Sequence, residues 1–290
     1  VSSNLPQALL NQLVQTGTIG AFDAVMPLSG GRTNRVWRFR DAGETLVLKL
    51  FAPPARSPLF PNDPDAECAV LEHLGGARLA PDLRATGTSG QGRWLLYSHL
   101  PGKLWTESAD AVGEGLARLH AHPPPERLRL APNGSAALIA QTHAILDTCS
   151  GRAAADLRTC QPVTPAVPPT TPRLLHGDPV PANILIHDGQ ARFIDWQCPA
   201  LGDPCEDLAI FASPAMQLLY GGAPLTQSDL AALKAGYADA STTDRFDTLR
   251  SLYHWRMAAF CLWRTEQGDL EYAQGFELER AALSAPSEVP

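Results

Sequence analysis

Long apolar runs are missing from this sequence. No stretch approaches the roughly 18–20 consecutive apolar residues that a membrane span requires. Positive charge is in deficit, with 23 Lys and Arg against 30 Asp and Glu and a net charge of −7. Polyanion binders present a basic footprint, so neither a nucleic-acid nor a membrane partner is expected. Cysteine is sparse: Cys68, Cys149, Cys160, Cys198, Cys205 and Cys261 include no C-x-x-C pair. That excludes the common zinc and redox frameworks. Each cysteine is expected as a small buried hydrophobe, with a Cys149–Cys160 disulfide as the alternative. The first residues, VSSNLPQALLNQLVQ, lack the charged start, apolar core and small-residue cleavage site of a secretory leader. Together with the cysteine pattern, this predicts a reducing, cytoplasmic setting.

What is present suffices for one large domain or two modest ones: 290 residues, 44% of them hydrophobic. Proline is plentiful, at 26, and predicts many breaks between elements. Leu9, Leu10, Leu13 and Val14 share one face of a short helix within 5–20. Residues 36–40 and 46–51 read as two antiparallel strands joined by the turn Asp41-Ala42-Gly43. The segment DPDAECAVLEHLGG reads as a helix capped by Asp and stopped by Gly75-Gly76. An apolar strand at 93–100 ends at Pro101-Gly102. Beyond it helical spacing dominates, at 108–120, 135–149, 203–212, 227–238, 244–267 and 270–282. The exceptions are a proline-rich loop at 161–172 and two short strands, 184–187 and 191–194. The division therefore falls into a smaller α+β lobe (1–98), a hinge (99–102) and a larger, mainly helical lobe (103–290).

His176-Gly177-Asp178 is followed after four residues by Asn183, and twelve residues later comes Asp195. The hairpin between them brings Asn183 and Asp195 to adjacent strand ends. Phosphoryl transfer needs such a set: a carboxylate to take a hydroxyl proton, and hard oxygen donors to hold Mg²⁺ against nucleotide phosphates. Asp178 suits the first role; Asn183 and Asp195 suit the second. In the small lobe, Lys49 is the only charge in its strand and is placed to meet the α- and β-phosphates of ATP. Glu67, in preference to Glu72, is the expected ion-pair partner of Lys49. Ser29-Gly30-Gly31-Arg32-Thr33-Asn34 stands between strands ahead of Lys49. Its backbone amides and the Ser29, Thr33 and Asn34 side chains are expected to reach phosphate oxygens. Ser98 and Leu100, at the hinge, would offer backbone groups to adenine.

The segment HGDPVPANILIHDGQARFIDWQCPALGDPCEDLAIF resembles the aminoglycoside phosphotransferase and choline kinase superfamily, small-molecule relatives of the protein kinases. The resemblance runs over nearly the whole chain. It implies a protein-kinase-like two-lobe α+β fold, with an antiparallel sheet and one helix in the N-terminal lobe. It implies Asp178 as catalytic base, Asn183 and Asp195 as metal ligands, and ATP with Mg²⁺. Trp196 stands where protein kinases carry the Phe of D-F-G. The segment Gly202, Asp203, Asp207 is also typical, and Asp207 reads as a brace for the catalytic loop.

For the acceptor, the glycine-turn and HGD segments look closest to the choline and thiamine kinase side. Trp196, Trp255 and Trp263 are the candidate acceptor residues. Trp255 and Trp263 are eight residues apart and are expected to share a helix face, with Tyr253 and Phe260 elsewhere around it. Aromatic faces attract a quaternary ammonium; plain core packing is the alternative reading. Relatives often carry an acid where this chain has Gln197, which leaves less negative charge for a cation. Glu266, Asp269 and Glu271 are candidate replacements or a solvated face. The expected reaction moves the γ-phosphoryl of ATP to a small alcohol, with choline or a related amino alcohol foremost. Thiamine, an amino sugar, an aminoglycoside or a non-catalytic kinase-like ligand-binding role are the alternatives, in a monomer or homodimer.

Overall fold

The computed structural model describes residues 4–28, 33–53 and 57–284. In chain order these form α1 (Gln7–Gln15), β1 (Met26–Pro27), β2 (Arg35–Asp41), β3 (Glu44–Leu50), α2 (Pro64–His73), β4 (Leu83–Ser89) and β5 (Gly92–Ser98). There follow β6 (Lys103–Leu104), α3 (Ala109–Ala121), β7 (Arg129–Leu130), α4 (Ser135–Leu146), α5 (Gly151–Thr159) and β8 (Arg173–Leu175). After a 3-10 turn at Pro181–Asn183 come β9 (Ile184–His187), β10 (Gln190–Phe193), β11 (Ala200–Gly202), α6 (Cys205–Ala212) and α7 (Pro214–Gly221). The chain closes with α8 (Gln227–Tyr237), α9 (Ala240–Glu266) and α10 (Tyr272–Ser284). An N-terminal antiparallel sheet with a helix thus precedes a mainly helical part.

The N-terminal sheet has the order β1-β2-β3-β5-β4 and is antiparallel throughout. Alternation along β3 explains its apolar run. Leu46, Leu48 and Leu50 face a small core built with Leu9 and Leu13 of α1, Trp37, Phe39, Trp94 and Leu96. The opposite face carries Val47 into the larger core with Leu95 and Tyr97. Lys49 shares that second face by parity and pairs across the sheet with Val36 and Leu95. α2 begins as its sequence demands: Asp63 accepts hydrogen bonds from the amides of Asp65 and Ala66, and proline opens the helix.

Two three-stranded sheets, β10-β9-β6 and β7-β11-β8, flank the start of the helical part. The β9–β10 hairpin pairs Ile184 with Phe193, so Asn183 and Asp195 emerge at the same end. α3 and α8 cross with their backbones almost in contact. A Cβ on Gly113 would meet the Leu233 carbonyl at 2.1 Å, and one on Gly236 would meet the Asp110 carbonyl at 2.0 Å. α9, 27 residues long and capped by Asp239, is the spine against which α4, α5, α6 and α10 pack. Among the described residues no helix is long and apolar enough to cross a membrane.

Several elements carry little sequence signal. β4, LRATGTS, has no apolar alternation and is a strand because β5 pairs with it. α5 and α7 are short helices, and neither was expected from the helical spacing. Five of the cysteines are buried, but Cys160 is exposed and does not fill the core position expected of it.

Candidate active site

The His176-Gly177-Asp178 loop is held from behind. Asp207, fully buried in α6, accepts hydrogen bonds from the amides of His176 (2.8 Å) and Gly177 (2.9 Å) and from His120 Nε2 (3.1 Å). Burial alone would push this carboxyl up; the His120 hydrogen bond and charge and the Gly177 amide bring it below the usual carboxylate value. The His120 Nδ1 in turn is hydrogen-bonded to the Tyr237 hydroxyl at 2.8 Å, which anchors the loop to the α3–α8 crossing. His176 donates from Nε2 to the Ile194 carbonyl (3.0 Å), and its Nδ1 accepts the Asp178 amide (3.2 Å). Both ring nitrogens are then satisfied by the neutral tautomer. Burial lowers the His176 pKa, in keeping with that neutral form.

Gly177 is required by its surroundings. Its φ is +79°, and a Cβ there would lie 2.1 Å from the Cys198 carbonyl. This close approach puts Asp178 beside the segment that carries Asp195. Asn183 donates from Nδ2 to the Asp178 carbonyl (3.0 Å) and carboxylate (3.3 Å), so its Oδ1 is the free acceptor end. Burial pushes the Asp178 carboxyl well up, and the like charges of Asp195 and Asp207 add to that. Asp195 itself follows β10 in the left-handed region, φ +62°, a conformation that costs a non-glycine residue roughly 1–2 kcal/mol.

Lys49 joins the two halves of the molecule. Its ammonium contacts Glu67 at 2.5 Å and also pairs with Asp195. Both Lys49 and Glu67 are 1% exposed, so the ammonium is desolvated and confined. Burial works against its charge, but Asp195 and Glu67 more than compensate and raise its pKa. Burial pushes the Glu67 carboxyl up, and Lys49 pulls part of the way back. The structure therefore brings Lys49, Glu67 and Asp195 together, and places Asp178 and Asn183 beside one another. Glu72 is elsewhere, accepting from the Cys68 thiol at 3.7 Å.

Other expected site residues are placed differently. Ser29, Gly30 and Gly31 lie outside the described residues. Thr33 is exposed. Asn34 was expected to reach phosphate, but its side chain is engaged inside the protein. It donates to Gln197 (2.7 Å) and Asn62 (2.9 Å) and accepts from the Ala52 amide (3.0 Å) and Asn62 (2.9 Å). At the crossing between the halves, Ser98 exchanges hydrogen bonds with Asp82: its amide donates to the Asp82 carbonyl and its hydroxyl accepts the Asp82 amide, each at 2.9 Å. Leu100 follows, half-buried.

Two of the three tryptophans are corrected from acceptor contacts to core. Trp196 is fully buried against His176 and donates to the Phe193 carbonyl at 3.0 Å. Trp255 is fully buried, edge-on to His143, and donates to the Leu157 carbonyl of α5 at 2.8 Å. Trp255 and Trp263 do not share a neighbourhood, because eight residues of helix leave them about 80° apart. Trp263 is half-buried and stacked on Phe260 at 5.9 Å. Phe260 was expected elsewhere on the helix. It instead joins Trp263 to Phe60 (5.0 Å) and Tyr272 (5.9 Å), and the Tyr272 hydroxyl meets that of Tyr220 at 3.2 Å. Of the candidate acids, Glu266 accepts the Ser150 amide, and Asp269 pairs with Arg264.

Sequence reading missed Arg245 and Arg256. They run from α9 to Asp203 (2.6 Å) and Glu206 (2.6 Å) and fix α6, and with it Asp207. Their signal was available in the acids of GDPCEDLA, which need counter-charges once buried. A groove of about 900 Å³ opens among α6, α8, α9 and α10 and is lined by none of Lys49, Asp178, Asn183 or Asp195.

A five-stranded antiparallel sheet whose Lys49 pairs with Glu67 of α2, set before a helical part holding an HGD loop and a following Asp, defines the kinase-like phosphotransferase fold. The chain belongs to the phosphotransferase enzyme (APH) family, whose model matches residues 24–252. It is thus a small-molecule phosphotransferase by family. Among solved structures it is similar to a choline/ethanolamine kinase family protein from Mesorhizobium loti, with 16% identity, TM-score 0.67, and 97% and 95% of the two chains covered. It is also similar to spectinomycin phosphotransferase in complex with ADP and spectinomycin, with 15% identity, TM-score 0.60, and 96% and 95% covered. A thermostable mutant of an aminoglycoside phosphotransferase, in a ternary complex with AMP-PNP and hygromycin B, gives 17% identity, TM-score 0.58, and 93% and 98% covered. No curated protein sequence matches the chain.

Proposed function

We propose that this protein transfers the γ-phosphoryl group of ATP to the hydroxyl of a small alcohol carrying an amine, choline or a related amino alcohol being the first choice. One observation carries the reading: the buried Lys49 ammonium is pinned between Glu67 and Asp195, beside a catalytic loop braced by Asp207.

In this reading Lys49, held by Glu67, meets the α- and β-phosphates. The Ser98 carbonyl and the Leu100 backbone meet the adenine edge, the Ser98 amide being held by Asp82. Asp178 orients the acceptor hydroxyl and takes its proton as the new P–O bond forms. Burial that raises the Asp178 pKa makes it a better proton acceptor than an exposed carboxylate. The donor set suits magnesium, which binds proteins through one or two carboxylates and the substrate's own phosphates. Asp195 and the Oδ1 of Asn183 are the hard oxygens that would hold it. Magnesium, when bound, screens the phosphate charge. Everything else is positioning and electrostatics supplied by the chain.

Support for an amine-bearing acceptor is aromatic. Trp263, Phe260, Phe60 and Tyr272 form one cluster. Tyr220 extends it towards Gly221, which packs on Pro181 three residues after Asp178. The half-buried Trp263 is the ring of this cluster best placed to meet a ligand. One face of Tyr272 is already taken, by the Arg264 guanidinium at 4.9 Å.

The direct test is ADP release against choline, ethanolamine, thiamine and amino sugars, with acceptor-free hydrolysis as background. Asp178→Asn is expected to retain Mg-ATP binding and lose transfer; undiminished turnover would remove Asp178 from the base role. Trp263→Ala should raise the KM for the amine more than that for ATP. Equal changes would reject the aromatic contact.

A further inference from the structure

Lys49 and Asp195 touch across the two halves, yet this contact cannot align the halves during turnover. Its two partners are the groups that phosphate and metal compete for. Another connection has to hold β3 at a fixed distance from the Asp195 segment. Asn34, which the sequence assigned to phosphate, and Gln197, two residues after Asp195, meet at that place.

The Asn34 side chain, 9% exposed, donates to the Gln197 Oε1 at 2.7 Å across the lobe boundary. It also forms a reciprocal amide pair with Asn62, both bonds being 2.9 Å, and accepts the Ala52 amide at 3.0 Å. Ala52 lies three residues after Lys49, Asn62 five before Glu67, and Gln197 two after Asp195. The backbone repeats the connection: the Asp63 amide donates to the Gln197 carbonyl at 3.1 Å, and the Cys198 thiol donates to the Pro61 carbonyl at 3.0 Å. Every partner in the side-chain bridge is a neutral amide. A carboxylate at position 197 would add charge beside Asp178, Asp195 and Glu67. An amide adds none, and neither magnesium nor phosphate displaces it readily.

We propose that Asn34 and Gln197 form an uncharged bridge that sets the separation of the Lys49 strand from the Asp195 segment, and so act as positioning residues for phosphoryl transfer. The proposal rests on the phosphotransferase reading. Misplacing reacting groups by about 1 Å costs on the order of 100-fold in rate.

The test uses Asn34→Ala, the near-isosteric Gln197→Met, and the double variant in the full chain. In nucleotide-free protein, hydrogen exchange at the Ala52 amide should quicken in Gln197→Met, because Asn34 is then held by its Asn62 pair alone. Adenosine has no phosphates and should bind all three variants within about twofold of the parent. With Mg-ATP and the acceptor, each single variant should lose about 10- to 100-fold in kcat with little change in the KM for ATP. The double variant should be no worse than the poorer single. Unchanged Ala52 exchange, multiplicative losses in the double variant, or equal losses of adenosine and Mg-ATP affinity would overturn the bridge. A parent protein that binds no Mg-ATP would instead overturn the phosphotransferase reading, while the exchange experiment still decides the bridge.

Discussion

Lys49 faces two carboxylates, and both it and Glu67 are buried. Removing one partner of a buried pair strands the other, at a cost of about 3–5 kcal/mol. Lys49→Met should therefore destabilise the protein by that order at pH 8, as read from urea midpoints. The loss should shrink towards pH 5. Without the ammonium, burial holds the folded Glu67 carboxyl still further above its unfolded value. The folded state then binds a proton that the unfolded chain releases, so stability rises as pH falls through that window. A gap to the parent that is constant with pH would contradict this. Lys49 and Asp178 were legible because each was an exception to its surroundings, one charge in an apolar strand and one acid after His-Gly. Trp255 was not legible as core. Its composition suits a cage and a core equally, and only the Leu157 carbonyl waiting for its indole N–H separates them.

Glycine decides how closely elements can approach. At the α3–α8 crossing, Gly236 lies against the Asp110 carbonyl with no room for a methyl group. Gly236→Ala should separate the helices and, through the adjacent Tyr237, slacken the chain from His120 to Asp207 to the Gly177 amide. Overpacking of this kind costs about 1–3 kcal/mol. At about 2–4 °C per kcal/mol for a chain of this size, the Tm should fall by roughly 2–12 °C. kcat should fall with it, since Asp207 holds the loop. An unchanged Tm would show that the crossing has slack. The helices α3, α4, α8 and α9 were readable from apolar spacing, because each buries one stripe against a neighbour. β4 and α7 were not: a strand without alternation and an eight-residue helix take their form from what they pack on.

The larger core runs without a break from Val47, Leu71 and Tyr97 of the first lobe to Phe211 and Phe260 of the second. A shared core couples the lobes, so thermal unfolding should be one transition with equal calorimetric and van't Hoff enthalpies. Two resolved transitions would show that the lobes unfold separately. Acid should weaken this unit through Asp207. Its folded pKa lies below the unfolded value near 4, so the stability it supplies is complete above that value and is lost as pH falls through the folded one. The stability difference between the parent and Asp207→Asn should accordingly be constant above about pH 5 and narrow as pH falls below about 4. A difference that does not change with pH in the acid range would assign the role of Asp207 to shape rather than charge.

The sequence by itself determined the order of lobes, the Lys49 strand, the HGD loop with Asn183 and Asp195, and the family to which these belong. Such features are written in local periodicity, and in chemistry whose spacing along the chain is short. Only the tertiary structure decided that Asn34 reaches Gln197 rather than phosphate, that Trp196 and Trp255 are core, and that Phe260 links Trp263 to Phe60. Those outcomes depend on contacts between residues far apart along the chain, 163 positions in the Asn34–Gln197 bond and more between Phe60 and Phe260, and no local pattern specifies which distant group will satisfy a buried amide or an indole.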